Sequence, residues 1–281
     1  MEIWDVYDDK REKTGTICRR DIDTLKNGEY HIVVTGIILN SRNEILIAKR
    51  APHKKKPLLW ECSGGSIIQG ENSLQGILRE LKEELGIEFD CKEAFYLKTI
   101  KDTQAHDFKD LWLFKRDIDI KKDLHFNDGE VIDAKWVSIS QFLEMYHQNQ
   151  IVDSVDFGME EYQMAINVSF LEYDNYIGKK IKGRIDRPLG SMHPKHQLIY
   201  PINYGYIPET INGDGEEIDC YLLGENRPIH EFEGKCIAII HRLNDNDDKL
   251  VISCNNENYT DEEIRNLTYF QEQYFKSVIV R

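Results

Sequence analysis

The sequence predicts a mixed α+β chain of two domains, the second a small β-barrel with a terminal helix. Three observations carry that expectation. At 281 residues the chain is too long for one core of ordinary size. Its first half sets apolar strand-like runs around one strongly amphipathic helix with clear start and stop signals. Its second half turns to short aromatic and β-branched runs broken by Pro and Gly, which is barrel-like patterning. The expected boundaries are residues 1–152 and 166–281. The acidic, aperiodic stretch 151–165 is read as a linker or short docking helix.

In chain order, residues 1–28 are polar, with Trp4 and Tyr7 as packing anchors. Residues 29–40 (EYHIVVTGIILN) read as a buried strand, 41–43 as a turn, and 44–50 (EILIAKR) as a second strand. Lys54, Lys55 and Lys56 read as a solvated loop, the alternative being a loop that meets substrate phosphates. Residues 58–65 lead into the helix that follows Asn72 and Ser73 and ends at Gly86. Strands are expected in 91–100, 110–120 and 131–139, then a helix over 140–150 starting near Ser140. In the second half, short strands are expected in 167–175, 180–185, 217–224, 232–244 and 248–254, with 199–208 aromatic and punctuated by proline. A helix capped by Thr260 or Asp261 covers 261–276.

Composition narrows the function. Hydrophobic residues make up 41% and charged residues 31% of the chain, as in a soluble globular protein. A net charge of -14 opposes sequence-independent nucleic-acid binding, which needs a basic face. The six cysteines form no C-x-x-C pair, so reduced thiols in a reducing compartment are expected. The acidic start MEIWDVYDDKREK lacks the apolar run of a signal peptide, and no window approaches a membrane span. A cytoplasmic location follows as the expectation, with no nucleic-acid or membrane partner and homo-oligomer formation left open.

The chemistry concentrates on the helix of the first half. Glu80, Glu83 and Glu84 stand at i, i+3 and i+4 and share one face. Three like charges repel there, and a divalent cation removes the penalty; hard oxygen ligands suit Mg²⁺ or Mn²⁺. Leu74, Ile77, Leu78, Leu81 and Leu85 form the opposite, apolar face. Gly76 breaks the pattern, since an interior helical glycine costs about 1 kcal/mol relative to alanine; close packing against a strand would account for it.

Gly65, Glu71, Arg79, Glu80, Leu81, Glu83, Glu84, Gly86 and Ile87 fill every fixed position of G-x5-E-x7-R-E-U-x-E-E-x-G-U. The segment resembles the Nudix box. That resemblance implies an α/β/α sandwich over residues 1 to about 152 and hydrolysis of a diphosphate linked to another moiety by water attack on phosphorus. It makes Glu80, Glu83 and Glu84 the Mg²⁺ (or Mn²⁺) ligands, with Glu71 and Arg79 bracing loop and helix within the catalytic set. Glu130 is the candidate for an extra carboxylate. The opening WDVYDDKREKTG and Tyr30-His31 most resemble the branch near isopentenyl diphosphate isomerase. In the isomerase a catalytic cysteine follows the tryptophan by four residues; here Gly64 holds that place and Cys62 is offset, so hydrolysis is the expected chemistry.

The second half carries another resemblance. Asp186-Arg187, Tyr200-Pro201-x-Asn203-Tyr204-Gly205-Tyr206, Asp214-Gly215-Glu216-Glu217-Ile218-Asp219 and Asp245-x-Asp247-x-Lys249 follow the order of soluble inorganic pyrophosphatases. That family's D-x-D-x-x-D appears with Glu216 in the middle. The match implies Asp214, Glu216, Asp219, Asp245 and Asp247 as metal ligands or base, Asp219 being catalytic, and Arg187, Tyr204, Lys249 and Tyr274 as phosphate holders. Two metals can activate water while Arg and Lys take up the remaining charge. The family's Tyr-Lys pair in the last helix becomes Tyr274-Phe275, and the family's early Lys and Glu have no secure counterpart. His193 and His196 have metal-like spacing but read as polar turn residues. A domain that binds a diphosphate without cleaving it is the alternative to an inorganic pyrophosphatase. The expected partner of both halves is a small phosphorylated molecule.

Overall fold

The polar N-terminal stretch, which carries no strong strand signal, folds into a hairpin. β1 (Ile3–Tyr7) and β2 (Lys13–Arg19) pair antiparallel, with Arg11 in the left-handed region at φ 66° in the turn. Tyr7 is buried, and Trp4 stacks on His31 with ring centroids 4.1 Å apart. The computed structural model describes residues 2–127, 129–153, 157–193, 198–255 and 257–281. They form two compact units, Met1–Asn167 and Val168–Arg281.

The first unit is built on β3 (His31–Leu39), whose apolar run is buried along nearly its whole length. β4 (Ile45–Arg50), β5 (Trp60–Glu61) and β6 (Gly64–Ser66) follow, then α1 (Ser73–Leu85), β7 (Phe95–Asp102) and β8 (Asp107–Lys115). A one-turn α2 (Ile120–Asp123), β9 (Val131–Val137), α3 (Ile139–His147) and α4 (Met159–Asn167) complete it. The main sheet runs β5-β4-β3-β8-β7, with β6 on β3 and β9 on β4. β3 and β8 pair parallel from His31↔Asp107 to Leu39↔Lys115.

α1 forms where its signals place it. Asn72 caps it in a reciprocal box with Gln75, and Gly86 ends it in the left-handed conformation. Ile77, Leu81 and Leu85 are buried, and the helix packs against β3 and β6. Gly76 has the anticipated reason: a Cβ there would overlap Ile67 Cγ2, just past β6.

The second unit starts with irregular chain and a 3₁₀ turn at Tyr173–Asn175, where a short strand over 167–175 was expected. β10 (Lys180–Arg187), β11 (Asn203–Ile207), β12 (Ile218–Leu223), β13 (Glu231–Arg242) and β14 (Lys249–Ser253) close into a barrel in the order β10-β11-β12-β14-β13-β10. Only β12–β14 is parallel among these pairs. Closure pairs every strand of the ring on both sides. α5 (Asp261–Glu272), capped by Thr260, buries Ile264 against Tyr200, Tyr204, Tyr221 and Val251. β15 (Ser277–Val280), an element with no strong signal of its own, adds to β13. The helix expected from Ser140 is capped instead by Ser138, because Gln141 at the third helical position completes its capping box.

Gly76→Ala tests the α1 packing. Helix propensity alone favours alanine by about 1 kcal/mol, whereas forcing an extra methyl into a filled contact costs about 1–3 kcal/mol. Urea unfolding should show net destabilisation, partly recovered by adding Ile67→Ala. A more stable single variant would mean that the contact with Ile67 yields freely.

Candidate functional site

Part of the polar face of α1 lies against β6, so Glu84 and most of Glu80 leave bulk water while Glu83 stays exposed. Glu84 is 2% exposed and accepts hydrogen bonds from the Gly64 N–H and from Lys54 Nζ, both at 3.2 Å. Periodicity puts Glu84 on the polar face of α1, and the structure adds that this part of the face is covered by the β6 strand. Glu80 sits beside Gly65, where any Cβ would come within 2.5 Å of its Oε1. A residue with a side chain at 65 would therefore displace the carboxylate, which gives the glycine a steric reason.

Arg79 gathers the rest. Its guanidinium donates to Glu71 at 2.8 and 3.0 Å, to Glu80 at 2.8 Å, to Glu83 at 2.9 Å and to the Ser66 carbonyl at 3.0 Å. Glu71 also accepts from the Ile68 N–H, so the Glu71–Arg79 pair ties the loop before α1 to the helix. Lys54 turns inward, within 2.6 Å of Glu130 and 3.9 Å of Glu61, while Lys55 is exposed and Lys56 pairs with Asp153. The solvated-loop reading thus fails for Lys54, whose charge offsets the buried Glu84. Arg50 pairs with Glu61.

Arg50, Lys54, Glu61, Arg79, Glu80, Glu83, Glu84 and Glu130 line one cavity of about 490 Å³, bounded also by Glu2, Arg20, Thr35, Cys62, Asp107 and Lys109. Burial pushes Glu84 up to about 8 and Glu80 up to about 7, against the opposing pull of Lys54 and Arg79 respectively. Desolvation also holds Glu61 above the usual carboxylate range, and its Oε1 is buried without a hydrogen-bond partner. Hard oxygens starved of solvent in this way suit a divalent cation. Among the described residues no three Asp, Glu, His or Cys side chains are already assembled for one; Arg79 and Lys54 occupy the carboxylates instead. Cys62 lines the cavity, and burial raises its thiol well above the ordinary value, which leaves it a poor nucleophile. Of the residues singled out in the sequence, Arg79, Glu80, Glu83, Glu84 and Glu130 line this cavity, and Glu71 stands behind it on Arg79. Sequence reasoning missed Arg50, Glu61, Asp107 and Lys109, whose only signal was a polar residue in or beside an otherwise apolar strand.

In the second unit, a chain of charges crosses the end of the barrel. Asp219 accepts from the Tyr204 hydroxyl and from Lys249 Nζ, the latter at 2.5 Å. Lys249, itself buried, also bonds Asp247. Arg242, 2% exposed, donates to Asp245 at 2.8 Å, Asp247 at 3.2 Å and Glu272 at 2.7 and 3.2 Å. Its guanidinium lies 3.5 Å from the Phe275 ring centroid, and Tyr221 donates to Glu272 at 2.6 Å. Burial raises Asp247 above the ordinary carboxylate range and Tyr204 far above the ordinary phenol.

So Tyr204, Asp219, Asp245, Asp247 and Lys249 come together as the sequence suggested. Asp214 and Glu216 stay on an exposed turn, where Asp214 accepts from the Glu216 N–H at 3.0 Å. Arg187 holds Asp186 at 2.8 Å. Tyr274, 72% exposed, lines a separate hollow with His193, Leu198 and Phe275. His193 stacks near Tyr200, and His196 lies outside the described residues. Arg242 and Glu272, which sequence reasoning passed over, are the centre of the cluster; an arginine ending the apolar run CIAIIHR was the available signal.

Residues 29–154 match the family model described as NUDIX domain, and residues 175–279 the one described as Inorganic pyrophosphatase. An uncharacterized Nudix hydrolase of Listeria monocytogenes is 32% identical over 167 residues, 54% of this chain and 94% of that protein. The 8-oxo-dGTP diphosphatase of Proteus vulgaris is 37% identical over 78 residues, 28% of this chain and 64% of that one. The crystal structure of DR0079 from Deinococcus radiodurans aligns at 21% identity over 58% of this chain and 99% of that chain, with a TM-score of 0.49. Among the described residues no helix is long and apolar enough to cross a membrane.

The raised Glu84 gives a pH signature. In the unfolded chain it ionises near 4.5, and in the metal-free fold only near 8. The folded state therefore holds the extra proton between these values, and its stability falls as pH rises through that window. Chemical denaturation without metal should show the first unit less stable at pH 8.5 than at pH 5. Glu84→Gln should flatten that slope, and saturating Mg²⁺ should stabilise the native protein more at the higher pH. Parallel slopes for the two proteins would show that Glu84 is not held protonated.

Proposed function

The chain belongs to the Nudix hydrolase family and cleaves phosphoric anhydride bonds, and from that premise we propose a Mg²⁺-dependent hydrolase of an organic diphosphate. The observation that carries the reading is Glu84, buried beside the partly buried Glu80 in a cavity whose other walls bear Arg50, Lys54, Arg79 and Lys109. Glu80, Glu83 and Glu84 would hold Mg²⁺ (or Mn²⁺), which supplies charge neutralisation of the phosphate and acidifies bound water. The protein's own groups do the rest. Arg79 and Glu71 fix the loop against α1, and Lys54 orients Glu84 and Glu130 from one amine. Water adds to phosphorus and the anhydride P–O bond breaks. The water proton passes to a cavity carboxylate, for which Glu130 is the candidate, and the departing phosphate oxygen leaves as the anion.

For the C-terminal unit the ligand proposed is pyrophosphate. The series Asp219, Asp245 and Asp247 favours its hydrolysis to two phosphates. Arg242 favours the other reading, binding without cleavage: a buried guanidinium fixed on Asp245 and Asp247 repels the metal cations that hydrolysis requires there. The Arg242 placement weighs more, because a buried cation with four carboxylate bonds does not move aside cheaply.

Two experiments test these assignments on the full chain. With CTP, 8-oxo-dGTP and a wider panel of nucleotide and sugar diphosphates, Glu84→Gln should lower turnover on the order of 10²-fold or more, the scale of a lost electrostatic contact. Near-normal turnover at limiting Mg²⁺ would remove that face from the reaction. With pyrophosphate and Mg²⁺, calorimetry should show binding while phosphorus NMR shows no orthophosphate. Orthophosphate release that disappears in Asp219→Asn would make the unit a pyrophosphatase.

A further inference from the structure

The hydrolase cavity has a wall that the box motif does not supply. Its floor and sides come from α1, β3, β4, β6 and the strands beside them, but Glu2 and Arg20 come from the open end of the β1–β2 hairpin. That hairpin is fastened at four places. Tyr7 and Tyr30 exchange backbone hydrogen bonds at 2.8 and 2.9 Å. Arg11 in the turn donates to the fully buried Asp110 at 2.7 Å, and Trp4 stacks on His31. The Gln69 N–H donates to the Ile3 carbonyl at 2.7 Å and the Gly70 N–H to Asp5 at 3.0 Å. The last two tie the hairpin to the loop that carries Glu71. Its open end is therefore held at the cavity rim rather than left as a loose leader.

The cations around the cavity differ in what they are free to do. Arg79 is spent on Glu71, Glu80 and Glu83, Lys54 on Glu84 and Glu130, Arg50 on Glu61, and Lys109 on Asp102. Releasing any of them would uncover a carboxylate inside the cavity or against the sheet. Arg20 pairs with Glu2 at 2.6 Å and more loosely with Asp21 at 3.9 Å, and all three side chains are 40% or more exposed. Such water-screened pairs contribute little and exchange readily. A guanidinium also offers a planar fork that matches two oxygens of one phosphate, which an ammonium does not.

We propose that Arg20 is the substrate clamp of the hydrolase site, exchanging Glu2 for the terminal phosphate of a nucleoside di- or triphosphate at the cavity mouth. Glu2 then acts as the competing anion that keeps the clamp oriented when no substrate is present. The inference rests on the proposed hydrolase reading and adds to it a residue outside the box and a substrate class with a free terminal phosphate. Because the clamp holds substrate and transition state alike, its loss raises KM and leaves kcat in place.

The test is steady-state kinetics on the full chain with Mg²⁺, using CTP and 8-oxo-dGTP, and ADP-ribose as a diphosphate without a terminal phosphate. Arg20→Ala should raise KM about tenfold or more for a nucleotide with a terminal phosphate, with kcat within twofold and an unchanged melting temperature. Arg20→Lys should recover part of the loss, and Glu2→Gln should lower KM. ADP-ribose turnover, where it occurs, should be indifferent to Arg20. KM within twofold of the parent in Arg20→Ala, or a fall in kcat at constant KM, overturns the clamp while leaving the hydrolase intact. A parent protein inert toward the whole panel, with Glu84→Gln no different, overturns the hydrolase reading and the clamp with it.

Discussion

Carboxylates held out of water, and the cations that make this tolerable, are the constraint on which both units depend. In the first unit the same helix that must be anchored by Ile77, Leu81 and Leu85 carries Glu80 and Glu84. Seating the apolar face brings the carboxylates down onto β6, so anchoring and desolvation are one event. A buried ionised carboxylate without compensation is too costly to persist. The fold answers with Arg79 and Lys54, and by letting Glu80 and Glu84 hold protons near neutral pH. In the proposed hydrolase reading a divalent cation would take over that charge.

The second unit meets the same demand by a different route. Arg242 and Lys249 are among its most deeply buried side chains, and between them they engage Asp219, Asp245, Asp247 and Glu272. Breaking a buried pair leaves an uncompensated charge and costs about 3–5 kcal/mol. These cations are thus structural as well as electrostatic: Arg242 stitches β13 to α5 through Glu272 and rests on Phe275. In one unit the carboxylates are paired at the wall of an open cavity; in the other the pairing cations are themselves buried. That contrast separates the two sites more sharply than their shared taste for acidic side chains suggests.

How much of this was legible follows from where each signal lives. The α1 motif is local: cap, apolar face, carboxylate spacing and terminal glycine all fall within 23 residues, so sequence alone placed the helix and grouped Glu80, Glu83 and Glu84. The barrel strands were legible as strands, but closure through β10–β13 joins residues about 50 apart in sequence, which no local pattern encodes. The β1–β2 hairpin was hidden because its few buried residues, Val6, Tyr7 and Cys18, sit among polar and half-exposed ones and its order depends on Asp110 and Tyr30 far down the chain. The burial of Glu84 was hidden for a related reason: helical periodicity tells which residues share a face, not how tightly a neighbouring strand covers it. Arg242 and Glu272 lie 30 residues apart and meet only because α5 packs back on the barrel.

The two sites in one chain also constrain what the pairing can achieve. A second unit that hydrolysed pyrophosphate would remove a product of any first step that releases it, and so draw that step forward. A second unit that only bound pyrophosphate could not do this, because binding saturates at one ligand per chain while turnover continues. Tethering does not change the balance: the effective concentrations of linked modules are on the order of millimolar for groups that stay attached, whereas a free diphosphate diffuses away. A unit that binds without turnover would report the level of diphosphate around the enzyme, whatever its source. Such a unit influences the hydrolase only through a difference in its affinity between two states of the protein. Reciprocity then requires that a ligand in the first cavity shift pyrophosphate affinity by the same factor. Pyrophosphate titrations of the full chain with and without CTP, in Glu84→Gln to suppress turnover, measure that factor directly; a ratio of one makes the two units independent tenants of a single chain.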